Sequence, residues 1–176
     1  MPKRLKTIST EVIHENPWYE YKHDEYELPD GKTGQYYYLE TPGNVLIIPR
    51  LADGRIALVL QYRYLHDKQS IEIPGGGAGE DIDGLSAAKR ELLEETGLIA
   101  ENWSKLGEFE PAPGMVKDKA QVFLCDVIDQ QQAAPDASEE IELVYRKPEE
   151  IDEMISHGDI WNGMSIAAWA LVRKHV

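Results

Sequence analysis

Residues 71–98 read "IEIPGGGAGEDIDGLSAAKRELLEETGL". A short apolar strand runs into three glycines, and a helix then carries Glu91, Glu94 and Glu95 within little more than one turn. Asp83 suits the N-cap of that helix, and Gly97 suits the left-handed position that ends it. At 100° per residue, Leu85, Ala88 and Leu92 share one arc, which is expected to face a sheet. Glu91 and Glu95 stack on the border of the arc, Glu94 lies at its edge, and Arg90 is placed to pair with Glu94. Like charges at this spacing destabilise a helix by about 0.2–0.5 kcal/mol per pair, so a cation is expected among them. The competing account is a solvated acidic face, but these carboxylates adjoin the apolar arc instead of opposing it.

Oxygen-only ligands without histidine suit Mg2+ or Mn2+ and argue against zinc. The glycines allow backbone oxygens and amides to approach a metal and a pyrophosphate closely. The net charge of −14, from 32 acidic against 18 basic residues, disfavours nucleic acid and anionic membranes as partners. Small anionic substrates stay admissible if cations bridge them. The one cysteine, Cys125, lies in "QVFLCDVI", where it reads as a small buried hydrophobe. "MPKRLKTIST" shows no secretory signal, and no run approaches ~18 apolar residues, so a cytoplasmic location is expected.

Around "PDGKTG", the runs Tyr19 to Leu28 and Gln35 to Glu40 predict a hairpin whose aromatics exceed what a lone hairpin buries. Asn44 to Arg50 and Arg55 to Tyr64 predict a second hairpin of two buried strands, and "SIEIP" a third short strand. Further strands are expected at "KLGEFEPA", "KAQVFLCDVI" and "IELVYRK". Two helices follow, "KPEEIDEMISHG" and "GMSIAAWALVRKH", the latter with Ile166, Trp169, Ala170 and Val172 inward. The expected fold class is mixed α/β: a mixed sheet covered on both sides by three helices, with an N-terminal antiparallel β-lobe. The expected domains are residues 1–43 for that lobe and 44–176 for the rest.

"RELLEETGL" with glycines before it resembles the signature of the Nudix hydrolases. Arg90, Glu91, Leu92, Glu94, Glu95, Gly97 and Leu98 match its second half, and Gly76 matches its first glycine. The position of its first glutamate holds Ile82, with Glu80 and Asp81 just before, which implies a rearranged loop. "QYRY", "EIPGG", "EPAPG" with Pro113 sixteen residues past Gly97, and the late "G-D-I" resemble the branch that cleaves ADP-ribose and other nucleoside-diphosphate sugars.

That resemblance implies an α/β/α sandwich and a homodimer formed through the N-terminal lobe. It implies metal-dependent hydrolysis of a nucleoside-diphosphate-linked small molecule to a nucleoside monophosphate and a sugar phosphate. Glu91 and Glu95 would hold Mg2+ or Mn2+, with Glu94 assisting and a backbone carbonyl of Gly75 or Gly76 completing the site. Gly76, Gly77 and Arg63 would contact substrate, as would Met115 in the loop that selects it and Trp18 beside Tyr19. An acidic loop would supply the general base from Glu139 or Glu140; strand alternation with Ile141 and Leu143 favours Glu139. The alternatives are a nucleoside-triphosphate or dinucleoside-polyphosphate hydrolase and, from another class, a non-catalytic nucleotide-sugar sensor.

Overall fold

A computed structural model describes residues 4–79, 83–134 and 140–176, which fall into two compact units. The first comprises Met1–Pro42 and Glu110–Lys119; the second comprises Gly43–Phe109 and Ala120–Val176.

The first unit is a four-stranded sheet, β1 (Lys6–Glu15), β2 (Glu20–Glu27), β3 (Thr33–Glu40) and the short β9 (Val116–Lys117). β2 and β3 form the expected hairpin, with Glu20 opposite Glu40 and Glu27 opposite Thr33. Its turn uses Gly31 in the left-handed region (φ 83°) and the Asp30 carboxylate, which accepts the Lys32 N–H at 3.1 Å. β1 was not expected, because its mixed polar sequence carries no clear period. The segment bearing β9 is tied to β3 by ladder pairs from Leu39 to Val116 and Glu40 to Lys117, and by the Tyr36 hydroxyl donating to the Gly114 carbonyl at 2.7 Å.

In the second unit a seven-stranded mixed sheet contains β4 (Asn44–Arg50), β5 (Ile56–Arg63), β6 (Lys68–Glu72), β7 (Gly75–Gly77), β8 (Leu98–Phe109), β10 (Ala120–Gln130) and β11 (Ile141–Arg146). Its main order is β11-β5-β4-β10-β8, and β10 runs parallel to β4. Strand alternation sorts the core. Val45, Ile47, Ala57, Phe123 and Cys125 pack with Ala87, Ala88 and Leu92 of α1 (Gly84–Thr96). Leu46, Ile48, Ile56, Leu58 and Val122 pack with Ile151 of α2 (Pro148–His157) and with Ala168, Trp169 and Val172 of α3 (Gly163–Val172). Helices therefore cover both faces, each fully buried Ile or Leu contributing about 1.5–3 kcal/mol. Among the described residues no helix is long and apolar enough to cross a membrane.

Three expectations need correction. The β4–β5 hairpin is a ladder of one pair, Arg50 with Ile56, after which the strands splay. The chain from Lys68 to Gly77 enters the gap, β6 pairing with β5 and β7 with β4. β8 begins at Leu98, ahead of Lys105, because the β10 ladder recruits a polar, irregular stretch that includes Asn102 at φ 53°. Ala170 is exposed, whereas Ala168 is buried against the sheet.

Candidate active site

α1 starts and stops as its sequence dictates. The Asp83 carboxylate caps it by accepting the N–H groups of Leu85 and Ser86, both at 3.1 Å, and Gly97 ends it at φ 69°. A Cβ on Gly97 would also lie 2.2 Å from the Gln131 carbonyl oxygen, so the stop is fixed by the neighbouring chain as well. With Leu92 in the core, Glu91 and Glu95 are carried to the glycine strand β7.

The contacts there are close. Glu95, 7% exposed, accepts the Gly75 N–H on Oε2 at 3.0 Å. Half-buried Glu91 accepts Arg90 Nη2 on Oε1 at 2.7 Å, and Arg90 Nη2 also donates to the Gly77 carbonyl at 3.0 Å. A Cβ at Gly76 would fall 2.4 Å from Glu91 Oε2, so only glycine admits this approach. Arg90 thus sits mainly on Glu91; its Nε is 3.9 Å from the exposed Glu94.

Beside β7 the splay of β4 and β5 opens a cleft of about 380 Å3, lined by Asn44, Val45 and Leu46 of β4, Gln61 and Arg63 of β5, and Glu72, Ile73, Gly75, Gly76, Glu95, Asn162 and Met164. Arg63 is the one cation among these residues. Its Nε and Nη2 donate to Glu72 Oε1 and Oε2 at 2.7 and 2.5 Å, and Glu72 is 4% exposed. Counting Glu95, the lining is net negative, so an anionic diphosphate needs cations to enter. Two carboxylates held against the glycine backbone offer hard-oxygen donors suited to a divalent ion completed by substrate and water. Among the described residues no three His, Cys, Asp or Glu side chains converge into a ready metal cluster. The pair fits a metal that binds through one or two carboxylates.

Trp18 is 75% exposed and Met115 70% exposed, and both belong to the first unit. Trp18 follows an Asx turn in which Asn16 Oδ1 accepts its N–H at 2.9 Å. Glu140 is exposed just before β11, whose first residue, Ile141, pairs with Gln61. Glu139 lies outside the described residues, as do Glu80, Asp81 and Ile82. Burial pushes the Cys125 thiol up to about 12, which keeps it protonated and inert. Sequence reasoning missed Glu72, Gln61 and Asn162. For Glu72 a signal existed: a charge inside a short apolar strand, with an arginine on the preceding strand to neutralise it.

The family profile described as the NUDIX domain matches residues 40–163, and that of the nucleoside diphosphate sugar hydrolase N-terminal domain matches residues 5–39. An ADP-ribose pyrophosphatase of Mycobacterium tuberculosis is 30% identical over 169 residues, covering 93% of this chain and 80% of that protein. A methanol dehydrogenase activator of Bacillus methanolicus is 29% identical over 165 residues, covering 93% of this chain and 89% of that one. A crystal structure of an ADP compounds hydrolase superposes with a TM-score of 0.85 at 18% identity, covering 98% of this chain and 94% of that chain.

Proposed function

The chain belongs to the Nudix family, and on that premise we propose that it cleaves the diphosphate of ADP-ribose or a related nucleoside-diphosphate sugar, using Mg2+ or Mn2+. The products are a nucleoside monophosphate and a sugar phosphate. The observation that carries this reading is the cleft at the β4–β5 splay, with Glu95 in its lining on the Gly75 N–H and Glu91 against Gly76.

Glu91 and Glu95 hold the metal in this proposal, with Glu94 assisting and the Gly75 or Gly76 carbonyl as a further ligand. A bound divalent ion supplies charge neutralisation of the diphosphate and a more acidic water. Gly76 and Gly77 leave room for the phosphates against the backbone, and Arg63 orients them by hydrogen bonding. A carboxylate already committed to a cation is a weak proton acceptor, so the base is placed in the loop before β11, on Glu139 or Glu140. Trp18 and Met115 enter the proposal as substrate contacts, Trp18 by stacking on the nucleobase and Met115 in the loop that selects the substrate. The setting is cytoplasmic, and the working form is a homodimer.

The test is a panel of ADP-ribose, ADP-glucose, GDP-mannose, UDP-glucose, NADH and diadenosine polyphosphates, with products resolved by chromatography. Hydrolysis of at least one nucleotide sugar to two phosphomonoesters, abolished by EDTA and restored by Mg2+ or Mn2+, is expected. Turnover confined to the polyphosphates, or undiminished in excess EDTA, rejects the reading. Glu139→Gln or Glu140→Gln, whichever removes the base, should lower kcat by about 10²–10⁴-fold with KM nearly unchanged.

A further inference from the structure

The Arg63–Glu72 pair joins a nearly buried carboxylate to a half-exposed guanidinium. Glu72 is on β6 opposite Val59, four positions before Arg63 on β5, so the arginine side chain lies back along the ladder to meet it. Both carboxylate oxygens are engaged, at 2.7 and 2.5 Å, in the two-point geometry that fixes the plane of a guanidinium. The Glu72 side chain is 5% exposed and that of Arg63 is 42% exposed, so the acid forms the wall and the arginine faces the cleft. A carboxylate taken out of water gains little net stability from its partner, and an apolar residue in β6 would serve the fold as well. What the pair supplies is a fixed direction for the one cation among the described residues that line the cleft.

We propose that Glu72 is the positioning residue for Arg63: it spends one edge of the guanidinium, cancels its charge, and so makes Arg63 an oriented hydrogen-bond donor to the substrate diphosphate. This rests on the reading of function given above. Glu72 touches Arg63 and acts through it. Charge attraction then comes from the metal end of the cleft, and the Arg63 end contributes geometry. Lysine at position 63 cannot reproduce the two-point contact.

The experiment is a double-substitution cycle on the full-length protein, using the best substrate of the panel and its non-hydrolysable methylene-bridged analogue. Glu72→Gln should raise KM about tenfold and weaken binding of the analogue by the same factor, with kcat within threefold of wild type, since a misaimed contact loses binding while chemistry continues. Arg63→Lys should behave alike. In the Arg63→Gln background, adding Glu72→Gln should change KM less than twofold, because Glu72 then has nothing to aim. The double variant, with two neutral amides, also guards against unfolding caused by a lone buried charge, and thermal melts accompany every variant.

An equal, additional loss from Glu72→Gln in the Arg63→Gln background overturns the proposal, because Glu72 would then act on substrate or fold directly. So does a Glu72→Gln protein with wild-type KM, or one whose only change is a lower melting temperature and less active protein. If wild type neither cleaves nor binds any diphosphate-linked compound, the functional reading itself fails and this proposal falls with it.

Discussion

Two glycines that look alike in the sequence do different work, and substitution separates them. At Gly97 an added Cβ meets backbone, the Gln131 carbonyl at 2.2 Å, and the residue is left-handed at φ 69°. Neither obstacle yields, so Gly97→Ala should cost at least about 2 kcal/mol in denaturant unfolding. At Gly76 the obstacle is the end of a flexible side chain, Glu91 Oε2 at 2.4 Å. Glu91 can swing away, so Gly76→Ala should melt near wild type yet lose about 10²-fold in kcat/KM, because the carboxylate no longer reaches its working position. Similar melting temperatures for the two variants would refute the distinction. If Glu95 holds the metal as proposed, Mg2+ at a hundred times its Kd should stabilise the fold by about 2.7 kcal/mol, roughly 5–10 °C for a chain of this size. Glu95→Gln should abolish that shift in a melt followed without substrate.

Among the elements, those with a strong period were legible: α1 from its cap to its glycine stop, β10 from its apolar run, and α2 from Pro148 to Gly158. β1 and the first half of β8 were not, because their sequences are polar and their pairing is imposed by β2 and β10. The splay of β4 from β5 was also invisible, since it depends on Lys68 to Gly77 competing for the same edges, and the cleft arises there. In the candidate site the shared helix border of Glu91 and Glu95 was legible from helical spacing; Glu72 needed the β5–β6 register. In the first unit, β9 is held to β3 through Glu40, which accepts Lys117 Nζ at 2.5 Å and Lys22 Nζ at 2.7 Å. Hydrogen bonds from Lys117 and then Lys22 hold the Glu40 carboxyl below its ordinary value. The folded carboxyl is therefore harder to protonate than the unfolded one. Its contribution is complete above the unfolded pKa of ~4.3 and is lost as pH falls through the lower folded value. Glu40→Gln should be less stable than wild type at pH 7, with the difference shrinking as pH drops from about 4 toward 2. A difference that stays constant over that range would exclude the linkage.

At the scale of the whole molecule, the first unit exposes more apolar surface than a monomer needs. Every residue of β1 is exposed, and Leu5, Ile8, Val12, Ile13 and Trp18 are 45–75% exposed. Tyr36 and Tyr37 on β3 add 44% and 51%. An exposed apolar set of this size marks an interaction surface, and a second copy of the chain is the occupant we propose. The manner of pairing follows from register. β1 has irregularities between Thr7 and Ser9 and between Val12 and His14, which place Ile8 and Ile13 in bulges. Bulges on an edge strand oppose continuation of the sheet into another chain, so the partner should pack against a face of the first unit. A stable interface of this kind buries about 1,200–2,000 Å2 in total and withstands micromolar dilution. Light scattering should therefore give twice the 19.9 kDa chain mass. Val12→Glu, which puts a charge on the covered face, should shift the mass toward one chain and lower the melting temperature. Lys6→Glu, at the strand's start, should leave the dimer intact. A wild-type mass of 19.9 kDa at micromolar concentration, or a Val12→Glu protein that remains fully dimeric, would sink the face-to-face arrangement.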